Sequence, residues 1–206
     1  MSEAQQPLLL TERFTSAVDY ARRLHPEFRK GTHIPFMAHL LGVASLVMGE
    51  AGGPVPVTED MVIAALLHDA VEDHGGTPQL RQIEAHFGKD VARMVAGLSD
   101  TFAEDHDKKE GWEERKTTYI ARLRDEDDDV LLISIADKIY NAKSILDDYR
   151  QIGARVWERF KRGPEQQFWY FDQLLAVFRQ RNIGRIVGEF ERVVAQLKEL
   201  TGAARS

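Results

Sequence analysis

From Leu10 to Leu200 apolar residues fall at three- and four-residue intervals, in blocks closed by glycine or proline, and this pattern limits the chain to helices. Leu10–Leu24 carries Phe14, Ala17, Val18 and Ala21 on one stripe, with Thr11 placed to cap it. Pro26, Gly31 and Pro35 interrupt any helix across 25–35. Helical spacing resumes over Phe36–Met48 and stops at Gly52-Gly53-Pro54. Thr58 opens the clearest helix, with Glu59 and Asp60 favourably set against its dipole, and the pattern runs on to Asp73 before Gly75-Gly76. Thr77-Pro78 reads as another start, a cap followed by proline at the first helical position, and Gly88 as its stop.

Lys89–Leu98, Trp112–Leu123, Pro164–Phe178 and Ile183–Leu200 read as further helices. In Val130–Tyr149 the run VLLISI suits a buried strand, but Leu131, Ile135, Ile139, Ala142 and Leu146 continue one helical stripe and no partner strand is evident. The expectation is an all-α single domain of about eight helices. It spans residues 8–200, with flexible termini at 1–7 and 201–206, a mobile charged loop over Ser99–Gly111 and an acidic connector at Asp125–Asp129.

Composition removes several function classes. The 206 residues include no cysteine, which excludes disulfides, thiolate metal sites and cysteine nucleophiles and fits a cytoplasmic protein. No apolar run approaches the length of a membrane span, and the first residues lack the parts of a signal peptide. With 27 Lys plus Arg against 33 Asp plus Glu, the chain is a poor partner for nucleic acid. A phosphorylated small molecule remains open to it if a cation or a local basic cluster supplies positive charge.

Leu66–Asp73 reads LLHDAVED. On a helix His68 neighbours Glu72 and Asp69 neighbours Asp73, so four acid–base or metal-binding groups crowd two turns after a wholly apolar lead-in. Charged turns emerging into solvent account for three of them, but Asp69 lies beside the apolar stripe, where a carboxylate needs a cation or a donor. His39 sits among apolar residues on another helix and Asp137 among those of a third, with Asn141 one turn on. One buried polar residue per helix is ordinary; three helices each offering one suggest a shared ion held by His39, His68, Asp69 and Asp137. Two imidazoles and two carboxylates suit manganese, iron, cobalt or zinc better than calcium. Glu72 and Asp73 are then placed to act as acids or bases. His25, His33, His74, His86 and His106 read as surface or loop residues.

The series His39, His68-Asp69, Asp137 resembles the HD-domain metal-dependent phosphohydrolases, whose ligands follow the order His, His-Asp, Asp. Ala65–Asp73 is similar to the signature of the RelA/SpoT-type hydrolase domains and small alarmone hydrolases. Arg29-Lys30-Gly31, Phe87–Val91, Glu114-Arg115-Lys116 and Ala136–Ala142 match further pieces in order across residues 14–180. His74 stands where that family often has Thr. The resemblance implies a single HD-domain helical bundle that hydrolyses guanosine 3′-diphosphate 5′-di- or triphosphate (ppGpp or pppGpp) to GDP or GTP and pyrophosphate, with Mn2+. Carried over, His39, His68, Asp69 and Asp137 hold the metal, and Glu72 and Asp73 position and activate water. Asn141 contacts the nucleotide, Arg29 and Lys30 lie by the base, Lys116 with Arg115 by the phosphates, and Tyr170 by the ribose. The implied partner is a small-molecule nucleotide, with no nucleic acid and no membrane; the oligomeric state is left open. The alternatives are an HD-domain phosphohydrolase of another nucleotide or phosphorylated metabolite, 5′-nucleotidase-like, and a binding module with a structural ion.

Overall fold

The computed structural model describes residues 7–104, 111–160 and 162–203. The flexible ends expected at 1–7 and 201–206 fall outside them except for Pro7 and Thr201–Ala203, as do residues 105–110 of the acidic loop. Ten α-helices follow one another among the described residues: α1 Glu12–Leu24, α2 Phe36–Gly49, α3 Glu59–Leu67, α4 Ala70–Asp73, α5 Gly76–Phe87, α6 Lys89–Leu98, α7 Trp112–Leu123, α8 Asp128–Ile152, α9 Pro164–Phe178 and α10 Ile186–Thr201. A 3-10 turn, Gly153–Arg159, links α8 to α9. VLLISI is helical, the front of α8, and the described residues hold no strand beyond an isolated bridge between Phe28 and Pro35.

The centre is α3. All seven residues from Met61 to Leu67 are buried, so this helix is apolar all round and packs against α1, α2, α6 and α8. Thr58 Oγ1 accepts from the Met61 amide at 3.3 Å, and Glu59 in the first turn accepts from the Thr11 hydroxyl at 2.9 Å. Thr11 is itself the cap of α1, so one carboxylate joins two helix starts. The long α8 is the second spine, buried continuously from Val130 to Asp137 and packed on α2, α3, α6, α9 and α10.

Two glycines set close approaches. A Cβ on Gly42 of α2 would lie 2.0 Å from Tyr140 Cε2 of α8, so only glycine lets these helices meet there. Gly76, at φ 59°, begins α5 against the backbone of Phe102, whose carbonyl oxygen a Cβ would approach to 2.2 Å. Here the sequence reading needs correcting: α5 starts at Gly76 after a left-handed Gly75, not at a Thr77 cap. The α3 pattern also does not run unbroken to Asp73. His68 and Asp69 form a turn between α3 and α4, where the Asp69 backbone slackens to ψ −8°.

Candidate active site

The turn between α3 and α4 offers its two side chains to a buried point that α2 and α8 also face. His39 and His68 bring their Nε2 atoms to 3.2 Å. Asp69 Oδ2 lies 3.3 Å from His39 Nε2 and 3.2 Å from His68 Nε2; Asp137 Oδ1 lies 3.4 and 3.5 Å from the same atoms. His39, His68 and Asp137 are buried, and Asp69 is half-buried. His68 Nδ1 is 2.8 Å from the Ala65 carbonyl, to which it donates, and this fixes the ring with Nε2 facing the cluster.

The donor set fits a cation. Donors bound about 2.0–2.2 Å from one ion stand about 3–3.5 Å apart, as these do. Two imidazoles and two carboxylates turned on one another leave lone pairs that their own protons cannot all satisfy. The electrostatics agree. Burial alone would raise the carboxyls and lower the imidazoles. Yet His68 and His39 hold Asp69 well below the usual carboxylate range, and Lys138 with His68 does the same for Asp137. Asp69 and Asp137 in turn hold His68 well above the ordinary histidine range, against its burial. A field that draws a proton so strongly draws a divalent cation too. Burial prevails at His39, which is lowered and so kept neutral, as a ligand must be.

Beside this cluster lies a charged shelf. Arg115 and Lys116 of α7 both donate to Asp100, Lys116 at 2.6 Å, and Arg115 also reaches Glu72 Oε1 at 3.3 Å. Lys138 pairs with the second oxygen of Asp137. Lys116 and Lys138 sit 5.0 and 5.8 Å from the Tyr170 ring centroid, a cation–π arrangement that keeps two ammonium groups together. Burial raises the Glu72 carboxyl, Lys116 opposes this, and Asp100 and Asp69 reinforce it. A larger cleft of about 240 Å³ continues outward over Arg29, Trp112, Lys116, Lys138, Asn141 and Tyr170. In it Arg29 donates to Asn141 Oδ1 at 3.3 Å, while Asn141 donates to Asp137 Oδ1 at 2.6 Å. The outer cleft and the His–Asp cluster are therefore one continuous network.

The structure thus gathers His39, His68, Asp69, Asp137 and Glu72 at one point, and Arg29, Lys116, Asn141 and Tyr170 around the adjoining cleft. Asp73 follows Glu72 on α4, half-buried, its amide donating to the Asp69 carbonyl at 3.0 Å. Lys30 is exposed and lines a separate groove with Gly31, Arg155 and Arg159. Asp100 and Lys138 were not singled out by the sequence. Asp100 stands in an irregular charged stretch with no periodicity to mark it; Lys138 had only its place beside Asp137 as a signal. His25 and His74 are not the ordinary loop residues expected: His25 is buried and both belong to a second cluster with Glu27.

Comparisons with known proteins identify the family. Residues 17–160 match the HD domain. The chain is 36% identical over 134 residues to the guanosine-3′,5′-bis(diphosphate) 3′-pyrophosphohydrolase of Homo sapiens, covering 63% of this chain and 67% of that one. It is 31% identical over 134 residues to the enzyme of the same name from Aquifex aeolicus, 65% of this chain but 18% of that longer one. A solved structure of a metazoan SpoT orthologue, described as hydrolysing ppGpp, superposes with a TM-score of 0.70 over 91% of this chain and 97% of its own, at 24% identity. A crystal structure from Listeria monocytogenes EGD-e matches with a TM-score of 0.64 over 80% of this chain and 99% of its own, at 32% identity. With its His–Asp cluster formed from the turn after α3 and the facing helices, the chain belongs to the HD-domain family.

Proposed function

We propose that this protein is a divalent-metal-dependent hydrolase of guanosine 3′,5′-bis(diphosphate), releasing pyrophosphate and GDP, or GTP from the pentaphosphate. The observation that carries the reading is the placement of Glu72 and two lysines beside the His39–His68–Asp69–Asp137 cluster. One small cavity brings Glu72, Lys116 and Lys138 together with His68, Asp69 and Asp137, so a base, cations and a cluster that suits a metal adjoin one another. The relatives described above supply the substrate class.

His39, His68, Asp69 and Asp137 would hold the cation; their mixed nitrogen and oxygen donors suit manganese, iron, cobalt or zinc, and the family resemblance implies Mn2+ among these. When bound, it supplies Lewis-acid activation of water and offsets phosphate charge. The chain's own groups do the rest. Lys116 and Lys138 bind the diphosphate to be cleaved, and their shared stacking on Tyr170 fixes them for it. Arg29 and Asn141 orient the nucleotide in the outer cleft, where Trp112 and Tyr170 offer apolar faces. Glu72, with its raised affinity for protons, takes the proton of the attacking water, and Asp73 steadies the turn that presents it. Lys30, exposed in a separate groove, is given no part in the reaction. The domain is the unit of residues 8–200, and a cytoplasmic setting accords with a nucleotide substrate; among the described residues no helix is long and apolar enough to cross a membrane.

The test is pyrophosphate release from ppGpp by the purified protein, with and without Mn2+. Metal-dependent pyrophosphate with GDP as co-product supports the assignment. Orthophosphate without pyrophosphate would move it to a phosphomonoesterase of another nucleotide.

A further inference from the structure

The loop before α2 and the turn after α4 meet close to the His–Asp cluster, and they carry a second set of ligand-type atoms. His25 follows the last residue of α1, and its side chain is fully covered. Its Nδ1 lies 2.8 Å from Glu27 Oε1 and 3.1 Å from His74 Nε2, and those two atoms are 3.7 Å apart. Two residues of the loop after α1 and one that lies 49 residues further on thus turn one atom each toward a common point. A single proton serves two such atoms; a cation serves all three, and the separations bracket the roughly 3–3.5 Å expected of donors around one ion. His25 Nε2 is buried without a hydrogen-bond partner among the described residues, so the ring is not held there by an ordinary polar contact on its far side. It is held instead by Phe36, stacked on it at 4.9 Å.

We propose that His25 Nδ1, His74 Nε2 and Glu27 Oε1 bind a second divalent cation of the zinc type, separate from the His39–His68–Asp69–Asp137 site. Two imidazoles and one carboxylate without a thiolate suit zinc better than magnesium or calcium, which take oxygen donors. The place of the site gives it a mechanical task. His25 and Glu27 begin the loop that delivers Arg29 to Asn141, and His74 closes the turn that bears Glu72 and Asp73. A cation here clasps the nucleotide side of the cleft to the helix turn carrying the acids. Phe36, edge-on to His39 at 5.4 Å, connects the clasp with the first cluster.

The experiment counts metal. The full-length chain, stripped with chelator and dialysed against zinc, is assayed for bound ion by mass spectrometry beside Glu27→Gln and His74→Ala. Two equivalents in the parent and one in each variant are expected, with a zinc-induced rise in melting temperature that is smaller in both. A zinc count that is the same in the parent and in both variants overturns the proposal. Glu27 is well exposed, so its variant keeps the test decisive even where His74→Ala folds poorly. Because zinc is counted without any substrate, failure of the ppGpp assignment leaves this result untouched.

Discussion

The Nε2 atoms of His39 and His68 meet at 3.2 Å where α2 faces the end of α3, with Asp69 and Asp137 each within 3.5 Å of both rings. One proton can bridge the two ring nitrogens, but it leaves the carboxylate oxygens beside them unserved, whereas one cation serves all four atoms, and that difference drives the first prediction.

Asp69→Asn keeps the shape of the side chain and removes a negative charge from the cluster. Pyrophosphate release should fall by at least about a hundredfold, since even outer-shell partners of metal ligands cost about 10–100-fold. Mn2+ at about a hundred times its dissociation constant should stabilise the parent by about 2.7 kcal/mol. The variant's melting temperature should respond far less to the same addition, and chelator should lower the parent toward it. An equal Mn2+ response in both proteins would remove Asp69 from the metal site.

The Glu72 carboxyl is raised from its ordinary value chiefly by its burial. As a base it acts deprotonated, so kcat/KM should climb with pH through a value above the ordinary Glu pKa of about 4.3. Glu72→Gln should lose that limb along with most of its activity. The stability sign is opposite. A raised native pKa means the folded protein binds this proton more tightly than the unfolded chain, an advantage present at low pH and lost as pH rises through the native pKa. Glutamine stays neutral throughout, so the variant should melt higher than the parent at pH 8 and show less gain at pH 4. Calorimetric scans at both pH values check this.

Asp100 takes hydrogen bonds from Arg115 and Lys116, and its side chain is only 3% exposed. Removing one partner of a buried ion pair costs about 3–5 kcal/mol. Asp100→Asn retains an acceptor oxygen, so the loss should fall toward the lower end of that range. The urea midpoint should drop with an unchanged slope. A variant as stable as the parent would show that Glu72 alone suffices for Arg115 and Lys116.

Gly42→Ala sets a methyl carbon 2.0 Å from the Tyr140 ring edge. Overpacking of this kind costs about 1–3 kcal/mol. Tyr140 also stands edge-on to His39 at 5.1 Å and under the Arg29 guanidinium at 5.2 Å. The substitution should therefore lower activity as well as stability, more than an alanine at the exposed Gly49, which meets nothing within 4 Å. Parallel melts and pyrophosphate assays of the two variants separate a local from a general effect.

Much of this protein was legible in its sequence, because helix-forming stripes and their caps are local. Thr11 and Thr58 cap α1 and α3 as read, and the spans Lys89–Leu98, Trp112–Leu123 and Pro164–Phe178 are helical to the residue. The identity of His39, His68, Asp69 and Asp137 as polar intruders on apolar faces was equally local, since a buried carboxylate or imidazole stands out against its neighbours. What helix periodicity did not reveal was that His68 and Asp69 occupy a turn, because both stay in right-handed helical backbone and only the slackened ψ of Asp69 breaks the ladder.

Only the tertiary structure decided which charges meet. Asp100 comes to Lys116 because Gly76 admits the backbone around Phe102, and Arg29 comes to Asn141 because an isolated bridge closes its loop. Lys30, next in sequence to Arg29, is turned into another groove, and His25 and His74 meet across 49 residues. Helix formation depends on contacts three and four residues apart, which a sequence displays directly. Ion pairs and ligand clusters depend on how finished helices and loops pack, and no spacing along the chain encodes that distance.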